Sequence, residues 1–406
     1  MTQSNQEKYS HKPNEIRQFH DPLRFELFSS DPVQMRHKFL HFTEFRPHAV
    51  VLSAPVPIPF DVASDERRAA IANHEIEWRS TNRSLQDVVY APEHPVDGVI
   101  IIRKGEIVFE AYPHMSEWDR HIAMSVSKPM TGACIAVLEA QNLIDVADPV
   151  EKYIPDLCDT HWQGTSIQDL LDMASGIDAL EESPGAMTDP NHPSTIYESS
   201  LGNVGEYSKA PSIYEVVKSL DRCAPAGSIY QYNSANTFVL GWIVEQVTNV
   251  PYNRFFSQEI WSRIGTEKDA FIQVSPHGAQ ANEGGVSCIL RDLARFGQLY
   301  TSSGRTMFGD ILPKDHINAI QTGGRTDIYR LGEKNDSDDA PIFNSRQWDK
   351  VWENGDFFKL GWGGQGLYVS PSKDVVIAFF GTLDENRQKN DLPDIARKLT
   401  LSGALD

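Results

Sequence analysis

Apolar positions change their period twice along this chain. Residues 98–103 form a run of β-branched side chains, Lys104-Gly105 marks a turn, and residues 106–112 partly alternate apolar with polar positions. That pattern predicts an antiparallel hairpin. From about residue 131 to 265 the spacing becomes helical. Ile135, Val137 and Leu138 punctuate a helix over 130–141. Thr165 with Gln168 resembles a capping box, opening a helix over 167–173 that stops near Gly176. Val239, Leu240, Ile243, Val244 and Val247 predict a helix over 236–248. Residues 252–264 predict another, ended by Gly265, and Leu293, Phe296 and Leu299 predict one over 288–300. Strands return at 366–370 and 374–380 around the turn residues Pro371-Ser372-Lys373, and residues 393–401 read as a closing helix.

The order of strands, helices, then strands predicts an α+β fold: an antiparallel sheet flanked by helices, with an inserted, mostly helical lobe. The expected boundaries are a disordered segment over 1–20, an α/β domain from 21–130 and 266–406, and a helical lobe over 131–265. Within the first part, Val50-Val51-Leu52 is a short apolar run and residues 54–60 are Pro-rich and extended. Residues 64–80 have helical composition, with Arg67, Arg68 and Glu75 on a solvated face. Residues 178–210 read as a long loop, rich in Pro, Ser, Gly and Asn. Loops of that length in compact proteins are usually functional or mobile.

Composition narrows the function classes. The 406 residues carry a net charge of −19, which argues against nucleic acid or an anionic membrane as partner. Cys134, Cys158, Cys223 and Cys288 are widely spaced and form no C-x-x-C pair, so neither a zinc knuckle nor a redox dithiol is expected. The histidines are scattered without ligand spacing, and no metal or organic cofactor is implied. Residues 1–17 contain no apolar signal core, and no run long enough to span a membrane occurs. These features together predict a cytoplasmic protein, and a homodimer is a further expectation.

The candidate chemistry begins at Ser125-Val126-Ser127-Lys128, followed by Pro129. Positions i and i+3 share a helix face, and a lysine amine can activate a serine hydroxyl. Proline is tolerated in the first turn of a helix, so the helix should begin near Ser125 or Val126. The same spacing also suits a plain N-cap serine. Ser127 is a weaker nucleophile candidate, because its i+3 partner is Met130. Tyr232-Asn233-Ser234 precedes the 236–248 helix. A tyrosine beside an ammonium is expected to have its pKa lowered and to act as a base; alone, it could simply anchor a loop. The segment from Lys359 to Gly366 leads into the strand at 367–369. Its glycines suit close approach of a ligand to an edge strand that donates N–H groups, or merely a flexible turn. There is no G-x-S-x-G elbow and no H-E-x-x-H.

Together these boxes resemble the penicillin-recognising serine hydrolases, in the class C β-lactamase-like branch that includes family VIII carboxylesterases and nylon-oligomer hydrolases. Ser125 to Lys128 is similar to the first box, Tyr232-Asn233-Ser234 to the second, and Lys359-Leu360-Gly361 to the K-T-G box. Asp148-Pro149-Val150, Leu170 to Gly176, Gly284 to Ser287 and Arg291 to Arg295 are similar connecting phrases. The resemblance implies a β-lactamase/transpeptidase-like fold with Ser125 as nucleophile and Lys128 with Tyr232 as its base relay. It implies an oxyanion hole from the Ser125 and Trp362 N–H groups, and substrate contacts near Ser234, Lys359 and Gly361. Two positions depart from the nylon-oligomer hydrolases: Ala179 stands where they carry a substrate-contacting tyrosine, and Glu283 brings an acidic side chain toward the cleft. The implied activity is hydrolysis of a small ester or linear amide. β-Lactamase or D-alanyl peptidase activity is the alternative within the class, and an inactive binding module the alternative outside it.

Overall fold

The computed structural model describes residues 27–28, 31–332 and 339–406. The disorder expected over residues 1–20 falls outside the described residues. The chain is α+β. Its main sheet has eight strands, in the order Phe343–Ser345, Trp348–Val351, Phe357–Gly361, Gln365–Ser370, Val375–Gly381, Val96–Arg103, Glu106–Ala111 and Asp61–Val62. All neighbours are antiparallel except the last pair. The predicted hairpin turns through Lys104 (φ 51°) and Gly105 (φ 81°). Two successive positive φ values give a turn whose twist matches that of paired strands.

Every residue of Val96–Arg103 is buried, because both faces of the sheet are covered. Ile100 and Ile102 join Val376, Ala378 and Phe380 on one face, with Leu293 and Phe296 of the helix Leu290–Gln298. Val99 and Ile101 join Ile377 and Phe379 on the other, with Leu392, Ile395 and Leu399 of the helix Leu392–Leu401. This is the period of two made visible. Each such Val, Leu, Ile or Phe side chain contributes about 1.5–3 kcal/mol by leaving water. Gly297 lets its helix approach the sheet closely: a Cβ there would stand 2.6 Å from Val376.

A smaller sheet carries the chain to Ser125. Its strands run in the order His48–Val51, Ala270–Gln273, Val286–Cys288 and His121–Ile122. The Ala123 N–H donates to the Val286 carbonyl at 2.7 Å. The segment entering Ser125 is thereby pinned beside the segment leaving Glu283. No strand falls within residues 131–265 among those described. There the helices Lys128–Ala140 and Ser234–Thr248 pack on one another, and Ile167–Leu171 lies against the second.

Several local expectations are corrected. Residues 64–80 are not one helix: the helix Asp65–Ala72 ends, and Glu75–Trp78 pairs with Thr81–Ser84 as a hairpin. Ile76 and Trp78 alternate inward there, a strand period that the charged helical composition around them hid. The capping box is Ser166 with Asp169, one residue later than expected, while the Thr165 hydroxyl accepts a hydrogen bond from Arg222. Residues 178–210 hold a helix, Pro193–Leu201, begun by a proline in its first turn and ended by left-handed Gly202. The helix at 252 breaks into Tyr252–Phe256 and a π-helical turn, Ser257–Trp261. Cys288 ends a strand, so the following helix starts at Leu290. Lys359 lies inside the strand Phe357–Gly361, which is an interior strand of the sheet. Its pairing with Trp348–Val351 stops at Phe358, however, so Lys359 to Gly361 is a free edge on that side.

Candidate active site

Ser125 sits in a 3-10 turn, Met124–Ser127, that runs directly into the helix Lys128–Ala140, with Pro129 in that helix's first turn. The i, i+3 geometry read from the sequence is present. The Lys128 Nζ lies 2.9 Å from Ser125 Oγ, 2.8 Å from Ser234 Oγ and 3.0 Å from the Glu283 carbonyl oxygen. Lys128 is fully buried. A buried amine is tolerable only with partners of this kind. Ser127 is buried too, but its hydroxyl accepts from the Val286 N–H at 3.4 Å, on the side of the small sheet.

The turn is strained and closely packed. Met124 has φ 49°, a left-handed conformation that costs a non-glycine residue on the order of 1–3 kcal/mol. Gly361 packs directly on it: a Cβ at 361 would stand 2.7 Å from the Ala123 carbonyl oxygen and 3.3 Å from Met124 Cβ. Only a glycine lets the Lys359–Gly361 edge reach the Ser125 turn. That contact sets Trp362, the next residue, beside Ser125 in the lining of both adjoining cavities. Among the described residues, neither the Ser125 nor the Trp362 N–H donates to a backbone carbonyl.

Tyr232 stands on the last loop residues before the helix Ser234–Thr248, whose N-cap is Asn233. Lys359 Nζ donates to the Tyr232 hydroxyl at 3.1 Å and pairs closely with Asp349. Asp349 also accepts the Leu360 N–H at 3.0 Å. The Tyr232 ring lies between two ammonium groups, 5.2 Å from Lys128 Nζ and 4.6 Å from Lys359 Nζ. The expected lowering of its pKa is nevertheless absent. Burial, then the charges of Asp349 and Glu181, hold the phenol well above its ordinary value, while the Ser125 hydroxyl works weakly the other way. Tyr232 is therefore a protonated phenol in the resting site. Burial moves Lys359 in the opposite sense, down to about 8, although Asp349 opposes the shift.

Ser125 opens onto two cavities. One, of about 190 Å³, is lined by Glu181, Glu198 and Glu283 together with Leu27, Phe28 and Trp362. The other, of about 750 Å³, is lined by Tyr230, Tyr232, Tyr329, Asp349 and Trp362. Glu283 is buried at 3% exposure, and burial pushes its carboxyl up to about 7. Ser234 is the hinge between the groups: its hydroxyl meets Lys128 and its N–H meets Glu181 at 3.0 Å. Phe28 packs edge-on against Trp362 at 4.8 Å between centroids. Ala179 is buried and lines neither cavity.

Eight of the residues singled out in the sequence thus converge: Ser125, Lys128, Tyr232, Ser234, Glu283, Lys359, Gly361 and Trp362; Ser127 and Ala179 do not join them. The sequence reading missed Asp349, Glu181 and Glu198. Asp349 lies on Trp348–Val351, a short strand without clear alternation. Glu181 and Glu198 fall in the stretch read as loop, where no periodicity marks an inward side chain.

Residues 83–401 match the beta-lactamase family. This chain belongs to that family. It is 31% identical over 288 residues to the 6-aminohexanoate-dimer hydrolase of Paenarthrobacter ureafaciens, spanning 69% of this chain and 71% of that one. Its fold is shared with a candidate 6-aminohexanoate-dimer hydrolase from Bacillus anthracis, with a TM-score of 0.78, 24% identity, and coverage of 94% and 96%. The hydrolase EstCE1, described as having promiscuous acyltransferase activity, aligns at a TM-score of 0.55 with 16% identity, over 78% of this chain and 92% of that one. The protein is accordingly a serine hydrolase of β-lactamase-related fold. Among the described residues, no helix is long and apolar enough to cross a membrane.

Proposed function

We propose that this protein cleaves a small ester or linear amide through an acyl-enzyme on Ser125. The observation that carries the reading is the buried contact of 2.9 Å between Lys128 Nζ and Ser125 Oγ. In its amine form, Lys128 has two N–H groups for Ser234 and the Glu283 carbonyl, leaving its lone pair for the Ser125 proton. The Oγ attacks the carbonyl carbon, and the proton passes to Lys128. The oxyanion forms between the N–H groups of Ser125 and Trp362, where one donor is worth about 2.7–4 kcal/mol.

Tyr232 then acts as an acid, as its raised pKa suits. It gives its phenol proton to the leaving group, and Lys359 refills it across 3.1 Å. In deacylation, water attacks the acyl carbon and its proton returns by way of Tyr232 to Lys359. Ser125 takes its own proton back from Lys128. No cofactor enters the sequence.

The relative's 6-aminohexanoate dimer is a linear amide by name, which supports this substrate class. The β-lactamase and D-alanyl peptidase alternative needs a free cation for a substrate carboxylate, and the Lys359 ammonium is already taken by Asp349. Nitrocefin turnover separates the two. An inactive binding module would leave Ser125 unreactive toward a fluorophosphonate probe. Ser125→Ala is expected to abolish p-nitrophenyl acetate turnover while circular dichroism stays unchanged. Undiminished turnover in that variant contradicts the proposal.

A further inference from the structure

Tyr232 gives its proton to the leaving group, so the leaving group must lie on the side of Ser125 that Tyr232 faces. That side is the larger cavity, of about 750 Å³: Tyr232 lines it and does not line the smaller one. Tyr230, Tyr329 and Trp362 line it too, so aromatic rings make up most of its apolar wall, with Leu360 and Leu383 beside them. Two of the rings are fixed as a unit. The Tyr230 N–H donates to the Ile328 carbonyl at 3.1 Å, which ties the loop before the helix Ser234–Thr248 to the helix Thr326–Gly332. Gly332 lets that helix lie against the loop: a Cβ there would stand 2.1 Å from the Tyr230 carbonyl oxygen. The Tyr230 and Tyr329 ring centroids are 5.2 Å apart, with their planes at 60°. Trp362 is held in its turn by Phe28 at 4.8 Å and Phe39 at 6.1 Å. Charge does not choose the occupant. Among the described residues, the lining balances Lys350, Arg387 and Lys389 against Glu181, Glu182 and Asp349.

We propose that this cavity is the leaving-group subsite and takes an alcohol or amine that carries an aromatic ring, packed among Tyr230, Tyr329 and Trp362. The inference rests on the acyl-enzyme reading and names the leaving group that reading leaves open. Ligand pockets are lined mainly by apolar and aromatic side chains, with a few polar groups that fix orientation. Here the orienting group is the Tyr232 hydroxyl, which Lys359 holds at 3.1 Å. As the bond from the acyl carbon to oxygen or nitrogen breaks, the Tyr232 proton goes to that atom and the neutral alcohol or amine departs. Aromatic rings favour one another in offset or edge-on contact, with centroids about 4.5–7 Å apart, beyond what burial of area supplies. A saturated ring of the same size buries its area but lacks that contact. The cavity volume of about 750 Å³ is that of about 25 waters at roughly 30 Å³ each, enough for a ring on a short linker.

Butanoate esters of 2-phenylethanol and 2-cyclohexylethanol test this. They share the acyl group, the linker and nearly the same leaving-group basicity, and each enzymic rate is divided by the rate of hydroxide on the same ester. The saturated ring is the more apolar of the two, so a cavity selecting by apolar contact alone would favour it. The expected kcat/KM instead favours the phenyl ester by about three- to tenfold. Tyr329→Leu and Tyr230→Leu should bring the ratio toward one, while Tyr329→Phe, which keeps the ring, retains it. Parity in the native enzyme, a preference for the cyclohexyl ester, or an unchanged ratio in both leucine variants overturns the subsite and leaves the acyl-enzyme reading standing. Tyr230 and Tyr329 are buried, so leucine at either position can impair folding. Product inhibition of the native enzyme needs no variant. There 2-phenylethanol should inhibit at about three- to tenfold lower concentration than 2-cyclohexylethanol, and equal inhibition overturns the proposal. Turnover of either ester with no butanoyl adduct at Ser125 strikes the acyl-enzyme reading instead.

Discussion

The chemistry of this site is set by how few groups are free to move a proton. Lys128 was legible in the sequence as the partner of Ser125, because i and i+3 on one helix face is a local rule. The state of Tyr232 was not, because it depends on burial and on Asp349, which lies more than a hundred residues away in the chain. Proximity to ammonium groups predicted a lowered pKa; desolvation won. A pH profile tests the residue-scale account. Lys359 must be protonated to refill Tyr232, so kcat/KM should fall as pH rises through about 8. Asp349 raises the Lys359 pKa, so Asp349→Asn should shift that falling limb to lower pH. A limb that stays in place in Asp349→Asn would remove Lys359 from the proton path.

At the scale of elements, the central hairpin, the long helices and the nucleophile helix follow from period and punctuation. Legibility failed where elements were short or shared a window with another period. The hairpin after Ala72 and the strand carrying Asp349 are only four residues per strand, too short for a period to declare itself. Gly361 is the element-scale feature with the sharpest consequence. It lets the sheet edge lie against the strained Met124 turn. Gly361→Ala places a methyl 2.7 Å from the Ala123 carbonyl oxygen. The expected result is about 1–3 kcal/mol of lost stability, with a fall in kcat exceeding any change in KM as the Trp362 N–H moves off the oxyanion position. Native kcat in that variant would show that the edge need not touch the turn.

For the whole molecule, the order strands, helices, strands was readable from the chain, but the contribution of the N-terminal segment to the site was not. Phe28 and Phe39 pack against Trp362, with Phe39 on the helix Pro32–Leu40. That helix is tied to the body by a buried pair: Arg36 Nε to Asp97 at 2.6 Å, with His121 at 3.2 Å and Thr382 at 2.5 Å. Burial alone would raise the Asp97 pKa; Arg36, His121 and Thr382 outweigh it and hold the carboxyl well below its usual range. A depressed carboxylate stabilises the fold above its unfolded pKa of about 4, and that contribution is lost as pH falls through the folded value. Asp97→Ala should cost about 3–5 kcal/mol in urea unfolding at pH 7, because it strands a partly buried arginine. A loss well under about 1 kcal/mol would mean the pair does not anchor the helix.

The central claim is that Ser125 carries the acyl group. Rapid acid quench of the enzyme with p-nitrophenyl butyrate, followed by peptide mass spectrometry, tests it directly. The account predicts one added butyryl group on the peptide containing Ser125, absent in Ser125→Ala. Turnover with no adduct at Ser125, or an adduct on a different residue, would contradict it.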